Sequence, residues 1–506
     1  MERLLVNNKK RRLLLFFLGG ILSSLAAQTQ NFPGLEPDNR AAEYGRRLNS
    51  ASCTWETLAE ASLWASGGEV TPAAMNTLRS AVAELSAQAP ADPRERGEYI
   101  LSFMHKKFLK SYQALQTRVD TILTNGRYNC VSSAALYMIL AVSSGLDVRG
   151  VMTKDHAFVT LNTGPETIDI ETTNPHGFDP GNRKEFHDNF GNVTGFAYVS
   201  ARNYRDRASI SQAELISLIL TNRISELEGR RRFNDAIPVA INRAAFLEGR
   251  LTAGPANPAA SPLFPDAAKE LLDRIFNFGA SLIQGGREED ALRWSALASP
   301  RFPDAKRWEE YNYTALNNLA VKQLRAGKIA EARDTLKRNE GLINAANKNQ
   351  LDSMILDAEL VKISNEAKTV LLAENGLARV KDAENQRLLP AARIEELRTF
   401  FLLKASECKA AEAGWAAAIT YAEDLITLYG HSRQLDEQLR IFRNNRVAEL
   451  HNAFADAYNH RNIEEALRII NAALEEFPGN RQLMQDQDAA QDAAQDAAQK
   501  AAQKAR

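Results

Sequence analysis

The spacing of apolar positions changes along this chain, and the changes divide it into regions. Residues 31–125 carry apolar side chains at helical intervals. In "ADPRERGEYILSFMHKKFLKSY" a proline stands near a helix start, and Tyr99, Ile100, Phe103, Met104 and Phe108 follow at helical spacing, which predicts a core-facing stripe. "CVSSAALYMILAVSS", from Cys130, has almost no polar face and predicts a helix buried on every side. Ser132, Ser133, Ala134 and Ala135 are small enough to let neighbouring backbone come close. The period then shortens. Strands are predicted at 148–153, 156–161 and 167–173, with "NTGPE" turning between the last two as a hairpin. "NPHGFDPGN" reads as a loop, and helical spacing resumes near residue 210.

From there one pattern recurs, starting at Ile275 and Ala315 and again within 411–430 and 447–480, with a weaker copy at 214–240. A complete copy has a helix with small or apolar residues, a short Gly or Asn turn, and a Glu-Ala, Glu-x-Ala or Asp-x-Ala start to a second helix. This pattern resembles the tetratricopeptide repeat. The resemblance puts small side chains where paired helices cross: Gly279 with Ala291, Ala320 with Ala332, and Ala466 with Ala473. Stacked helix pairs forming a solenoid are therefore expected, with a plain helical bundle as the alternative. The tail, 486–506, repeats Gln-Asp-Ala-Ala without an apolar stripe, so it is expected to fray or stay disordered rather than dock on a core.

Composition adds exclusions. The 506 residues are 44% hydrophobic and 25% charged, with a net charge of −1, so no basic field exists to attract nucleic acid. Residues 1–27 combine a basic start, a short apolar run and small residues at Ser24 and Ala26, the layout of a secretory signal peptide. An uncleaved anchor is the alternative, and no other stretch is apolar enough to span a bilayer. Export to the periplasm or cell envelope is expected. The three cysteines, Cys53, Cys130 and Cys408, are an odd number, so this is not a disulfide scaffold.

The candidate chemistry centres on Cys130. A thiol at a helix N-terminus faces unpaired N–H groups and the positive end of the dipole, both of which favour thiolate. Such a nucleophile needs a base and a group to orient that base. His156 opens the second predicted strand, and Asp169 and Glu171 share a face of the third. A turn at about 162–166 sets paired positions that sum to about 327–329, which puts His156 opposite 171–173 and Asp169 opposite 158–160. Glu171 is thus the expected acid, with Asp169 as runner-up. Cys130 has two other readings, as an inert packed thiol or as a disulfide partner of Cys53. His176 and His187, near Asp179 and Asp188, match no metal spacing and read as solvated loop residues, so neither a metal nor a cofactor is expected. Cys53 and Cys408 read as structural residues in helical segments, and Trp308, Tyr311 and Tyr313 as packing.

"YNCVSSAALYMIL", "DHAFVTL" and "IDIETTNPHGF" together resemble the transglutaminase-like superfamily, which includes papain-like bacterial proteases. The resemblance covers about 95–205. It implies Cys130 as nucleophile, His156 as general base and Glu171 as third member, where the family more usually has Asp followed by Pro. The expected fold is α+β: a transglutaminase-like domain, with a central helix and antiparallel sheet, followed by an all-α tetratricopeptide-type solenoid, and mostly helical overall. The regions are a signal peptide (1–27), a helical lead-in (28–94), the transglutaminase-like domain (95–209), the repeats (210–485) and the tail (486–506), with a junction between folding units near 205–215. Two functions follow. One is an exported cysteine hydrolase or acyl-transfer enzyme acting on peptide or protein amides. The other is a non-catalytic scaffold. In either, the repeats bind protein or peptide.

Overall fold

The computed structural model describes residues 32–50, 53–181, 184–195, 207–249 and 262–505. The proposed signal peptide lies outside them. Among them are nineteen α-helices and six short strands, so the protein is mostly helical with a small antiparallel sheet. No helix among the described residues is long and apolar enough to cross a membrane. Contacts divide the chain at 278/279, within a single helix, into two units.

The first unit opens with four helices, α1 (Asn39–Leu48), α2 (Trp55–Ala65), α3 (Pro72–Gln88) and α4 (Pro93–Lys107). Asp38, Thr54, Thr71 and Asp92 each accept a first-turn N–H, and Pro72 and Pro93 sit where no helical N–H bond is lost. The expected α4 stripe buries Ile100, Phe103, Met104 and Phe108, while Tyr99 is half-buried and donates to the Gln88 side chain at 2.9 Å. β1 (Ser111–Tyr112) pairs in parallel with β2 (Arg127–Tyr128), with α5 (Val119–Asn125) between them. Next comes α6 (Cys130–Ser143), buried continuously from Val131 to Ala141. It packs against β3 (Asp147–Met152), β4 (Ala157–Asn162), α2 and α4. β5 (Thr167–Ile170) and β6 (Ala208–Ile210) complete a sheet ordered β5-β4-β3-β6. The strands fall within a residue or two of expectation, except that β5 ends at Ile170.

Three expectations are corrected here. His187 and Asp188 lie on a helix, α7 (Lys184–Thr194), not in a loop, and their side chains are outside the described residues. Cys53 precedes α2 instead of lying in a helix. The junction expected near 205–215 is not where the chain divides. α8 (Gln212–Gly229) packs on α6, α2 and β3, and α9 (Phe233–Glu248) packs on α1. At Gly45 a Cβ would stand 2.0 Å from the Phe246 carbonyl oxygen, so α1 and α9 touch backbone to backbone. The weak repeat copy at 214–240 therefore belongs to the core of the first unit.

α10 (Phe264–Gln284) carries the chain across the division. The second unit contains α11 (Glu288–Ala298), α12 (Ala305–Arg325), α13 (Ile329–Asn339), α14 (Ala345–Glu366), α15 (Val370–Asn385), α16 (Ala391–Tyr429), α17 (Arg433–Asn459), α18 (Ile463–Glu476) and α19 (Arg481–Ala505). From α11 onward each helix packs on the next, and α12 also meets α14, α14 meets α16 and α17 meets α19. Ala291, Ala320, Ala332, Ala466 and Ala473 are buried, and a Cβ on Gly279 would come within 2.7 Å of the Tyr311 ring. Gly414, at φ 81° and ψ 177°, breaks α16 into two helical segments. Trp308 and Tyr311 are packed, with indole and hydroxyl donating to the carbonyls of Phe302 and Ala291 at 2.8 and 3.1 Å. The tail expectation fails: α19 docks through Leu483, Asp486 and Ala490, all buried.

Candidate functional site

Asn129 fixes the start of α6. Its backbone is extended, its side-chain oxygen accepts the Ser132 N–H at 3.0 Å, and the Ser132 hydroxyl accepts the Asn129 N–H at 2.9 Å. This reciprocal cap leaves the N–H groups of Cys130 and Val131 at the open end of the helix. The Asn129 amide also donates to the Ala114 carbonyl and the Ser132 hydroxyl to the Gln116 carbonyl, both at 3.1 Å. Cys130 is thus presented from a helix end laced to the preceding loop.

His156 enters β4 from a tight turn, its carbonyl accepting the Thr153 N–H at 2.9 Å. β4 and β5 pair Val159 with Ile170 and Thr160 with Asp169, at the upper end of the expected register. The imidazole Nε2 lies 2.8 Å from both carboxylate oxygens of Glu171. The Cys130 thiol lies close enough to the same ring to affect its protonation. With Nε2 engaged by Glu171, Nδ1 is the nitrogen left for sulfur. The ring packs against Phe158 and Phe190, 6.2 and 5.9 Å between centroids.

Side-chain exposure is 11% for His156 and 3% for Glu171. Burial works against a protonated ring, but the Glu171 charge, the hydrogen bond that its carboxylate accepts and the nearby Cys130 outweigh it, and the His156 pKa stands well above its ordinary value. A charged imidazolium is therefore the resting form at neutral pH. Such a ring can stabilise an adjacent thiolate and later return a proton.

Glu171 is itself positioned. Its N–H donates to the Gly177 carbonyl at 2.8 Å, and the Thr173 hydroxyl donates to its carboxylate at 3.3 Å. The Tyr128 hydroxyl holds the Thr173 carbonyl at 3.2 Å, and the Ser133 and Thr172 hydroxyls meet at 2.8 Å. Thr172, Thr173 and Asn174 are fully buried, which makes this turn a rigid mount. A Cβ on Gly177 would stand 2.0 Å from the Glu171 carbonyl oxygen. Gly177→Ala should therefore move Glu171, lowering stability by about 1–3 kcal/mol and slowing Cys130 alkylation. A thermal melt and a labelling time course check this. Unchanged values in both would show that the turn tolerates the methyl group.

The alternatives are accounted for separately. Asp169 faces Arg207, at 2.7 Å from one guanidinium nitrogen, and Arg207 lies over the Phe158 ring at 5.0 Å. Asp169 braces the sheet without meeting His156. Asp179 pairs with Arg94. Cys53, Cys130 and Cys408 are all free thiols, so the Cys53–Cys130 disulfide is absent. Burial raises the pKa of both Cys53 and Cys408.

Two neighbours escaped the sequence reading. His105 on α4 contacts the Thr172 carbonyl through Nε2 at 3.1 Å and meets Tyr128 edge to face at 6.2 Å. Burial lowers its pKa to about 4, against the effect of that hydrogen bond, so it is neutral at neutral pH. Tyr112 joins the site through β1. Neither lies in a local motif, and only the helix packing and the parallel bridge bring them in. Comparison with protein-family models, curated proteins and solved structures finds no match.

Proposed function

We propose that this protein is an exported cysteine acyl-transfer enzyme of the transglutaminase-like kind, acting on peptide or side-chain amides. The observation that carries this reading is one buried imidazole with Glu171 on Nε2 and the Cys130 thiol, at the N-terminus of α6, close to the same ring. In the proposed reaction the sulfur attacks the amide carbon as a thiolate, its proton already held on the His156 ring. The C=O electron pair moves onto oxygen. Collapse breaks the C–N bond, and His156 gives its proton to the departing amine, leaving a thioester. Water completes hydrolysis, or a second amine completes transfer, through the same steps in reverse. Export rests on residues 1–27.

The helix pairs of the second unit are proposed to bind a protein or peptide, on a solenoid of the tetratricopeptide type. Leu371 and Leu428, 66% and 75% exposed, support a contact surface there. The same exposure supports the second reading, a scaffold whose first unit does no chemistry.

Iodoacetamide at about pH 6 distinguishes them. Cys130 should be alkylated well before Cys53 or Cys408, whose burial holds them as thiols. His156→Ala should slow Cys130 strongly. Equal, slow labelling of all three would leave the scaffold, and fast labelling that survives His156→Ala would remove the catalytic pair.

A further inference from the structure

Tyr112 takes no part in the steps above, yet the fold brings it to them. The parallel bridge aligns Tyr112 with Tyr128, two residues before Cys130, and their rings meet edge to face at 5.8 Å. The chain beyond Tyr112 is tied down at once. The Gln113 N–H donates to the Tyr128 carbonyl at 2.8 Å, and the Ala114 and Gln116 carbonyls hold the α6 cap. Tyr128 spends its hydroxyl on Thr173, but the half-buried Tyr112 hydroxyl has no hydrogen-bond partner among the described residues.

The Tyr112 phenol lies within the electrostatic reach of both Cys130 and Glu171. Burial first, and then those two groups, raises its pKa, so it keeps its proton at neutral pH and remains a donor. The carboxylate is already engaged by His156 and Thr173. An O–H donor carried on the strand that pairs with Tyr128, two residues before Cys130, and with no acceptor among the described residues, suits an oxygen that substrate brings.

We propose that Tyr112 is a catalytic residue that donates its hydroxyl to the oxyanion formed when Cys130 attacks a carbonyl, the second donor being the backbone N–H of Cys130. This rests on the acyl-transfer reading. As the C–S bond forms, the carbonyl π pair moves to oxygen, and Tyr112 holds that charge without giving up its proton. When the pair returns, the leaving group departs and the phenol is released unchanged.

Two reagents separate this role from packing. Iodoacetamide alkylates sulfur by displacement at carbon and makes no oxyanion, whereas p-nitrophenyl acetate acylates sulfur through one. Tyr112→Phe keeps the ring and its contact with Tyr128. It should slow the burst of p-nitrophenolate by about 100-fold while leaving the alkylation rate of Cys130 near its original value. That unchanged rate also reports an intact fold and thiol. Equal slowing of both reactions would make Tyr112 a residue that positions the thiol, and an unchanged burst would make it packing. Either overturns the proposal alone. A missing burst in the unsubstituted protein, with alkylation insensitive to His156→Ala, overturns the acyl-transfer reading and this proposal with it.

Discussion

Glu171→Gln should slow the alkylation of Cys130 at about pH 6 by about 100-fold or more, while Asp169→Asn leaves it nearly unchanged. The amide keeps the shape of the side chain and can still meet Nε2. What it removes is the charge. Burial disfavours a protonated His156, and the Glu171 carboxylate is the largest effect opposing it. Without that charge the ring loses its proton and the thiol loses its cationic partner. Asp169 is engaged with Arg207, so its neutral variant weakens a sheet brace instead. The pH dependence of stability follows the same pair. His156 has a folded pKa well above its ordinary 6.5. Its contribution is therefore present in full below about 6.5 and is lost as pH rises through the folded value. Urea midpoints from pH 6 upward should show that decline in the unsubstituted protein and not in Glu171→Gln. His156→Ala should be the least stable variant, by roughly 3–5 kcal/mol, because it leaves a buried carboxylate unpaired. Parallel midpoints for all three proteins would show that the pair does not couple folding to pH.

The parts of this site legible in the sequence are those governed by short-range rules. An unbroken apolar run from Cys130 dictates a buried helix with the thiol at its N-terminus. Period-2 alternation and a Gly-Pro turn fix the hairpin register closely enough to prefer Glu171 over Asp169 beside His156. What was not legible depends on which surface a helix meets. The 214–240 segment has the helix–turn–helix spacing of a repeat, but periodicity does not say that Gly45, some two hundred residues away, offers Phe246 a groove. In α8, Ala213 through Leu220 are all buried, and this burial on more than one face separates it from the one-sided helices of the second unit. His105 and Tyr112 were silent for the same reason. Each is an ordinary residue of its own element and reaches the site only through packing.

Ending the chain after Asn480 should destabilise the last helix pair by roughly 3 kcal/mol or more, whereas ending it after Ala494 should cost little. The tail was expected to float because its repeat has no apolar stripe in the usual sense. Alanine serves instead. Leu483, Asp486 and Ala490 follow three- and four-residue spacing onto one buried face of α19, and Leu483 and Ala490 pack with Phe454, Ala466, Ile470 and Ala473. Asp486 is buried with its charge met by His451 at 2.6 Å and its other oxygen by Gln482 at 3.2 Å. A four-residue repeat on a helix of about 3.6 residues per turn advances about 40° per copy, so the alanine face turns away from the core after a few repeats. That drift accounts for buried Ala490, half-buried Ala493 and Ala494, and exposed residues from 495 to 502. α19 thus covers the apolar face of α18 and α17 and, Asp486 apart, turns its Asp and most of its Gln residues outward. Hydrogen exchange should report the difference. In the chain ending at Asn480, amides of α17 and α18 should lose protection while those of α11 to α13 keep it. Protection of α17 and α18 that is the same in both truncations would mean that the last helix pair is held by its own contacts and that α19 rests on it without stabilising it.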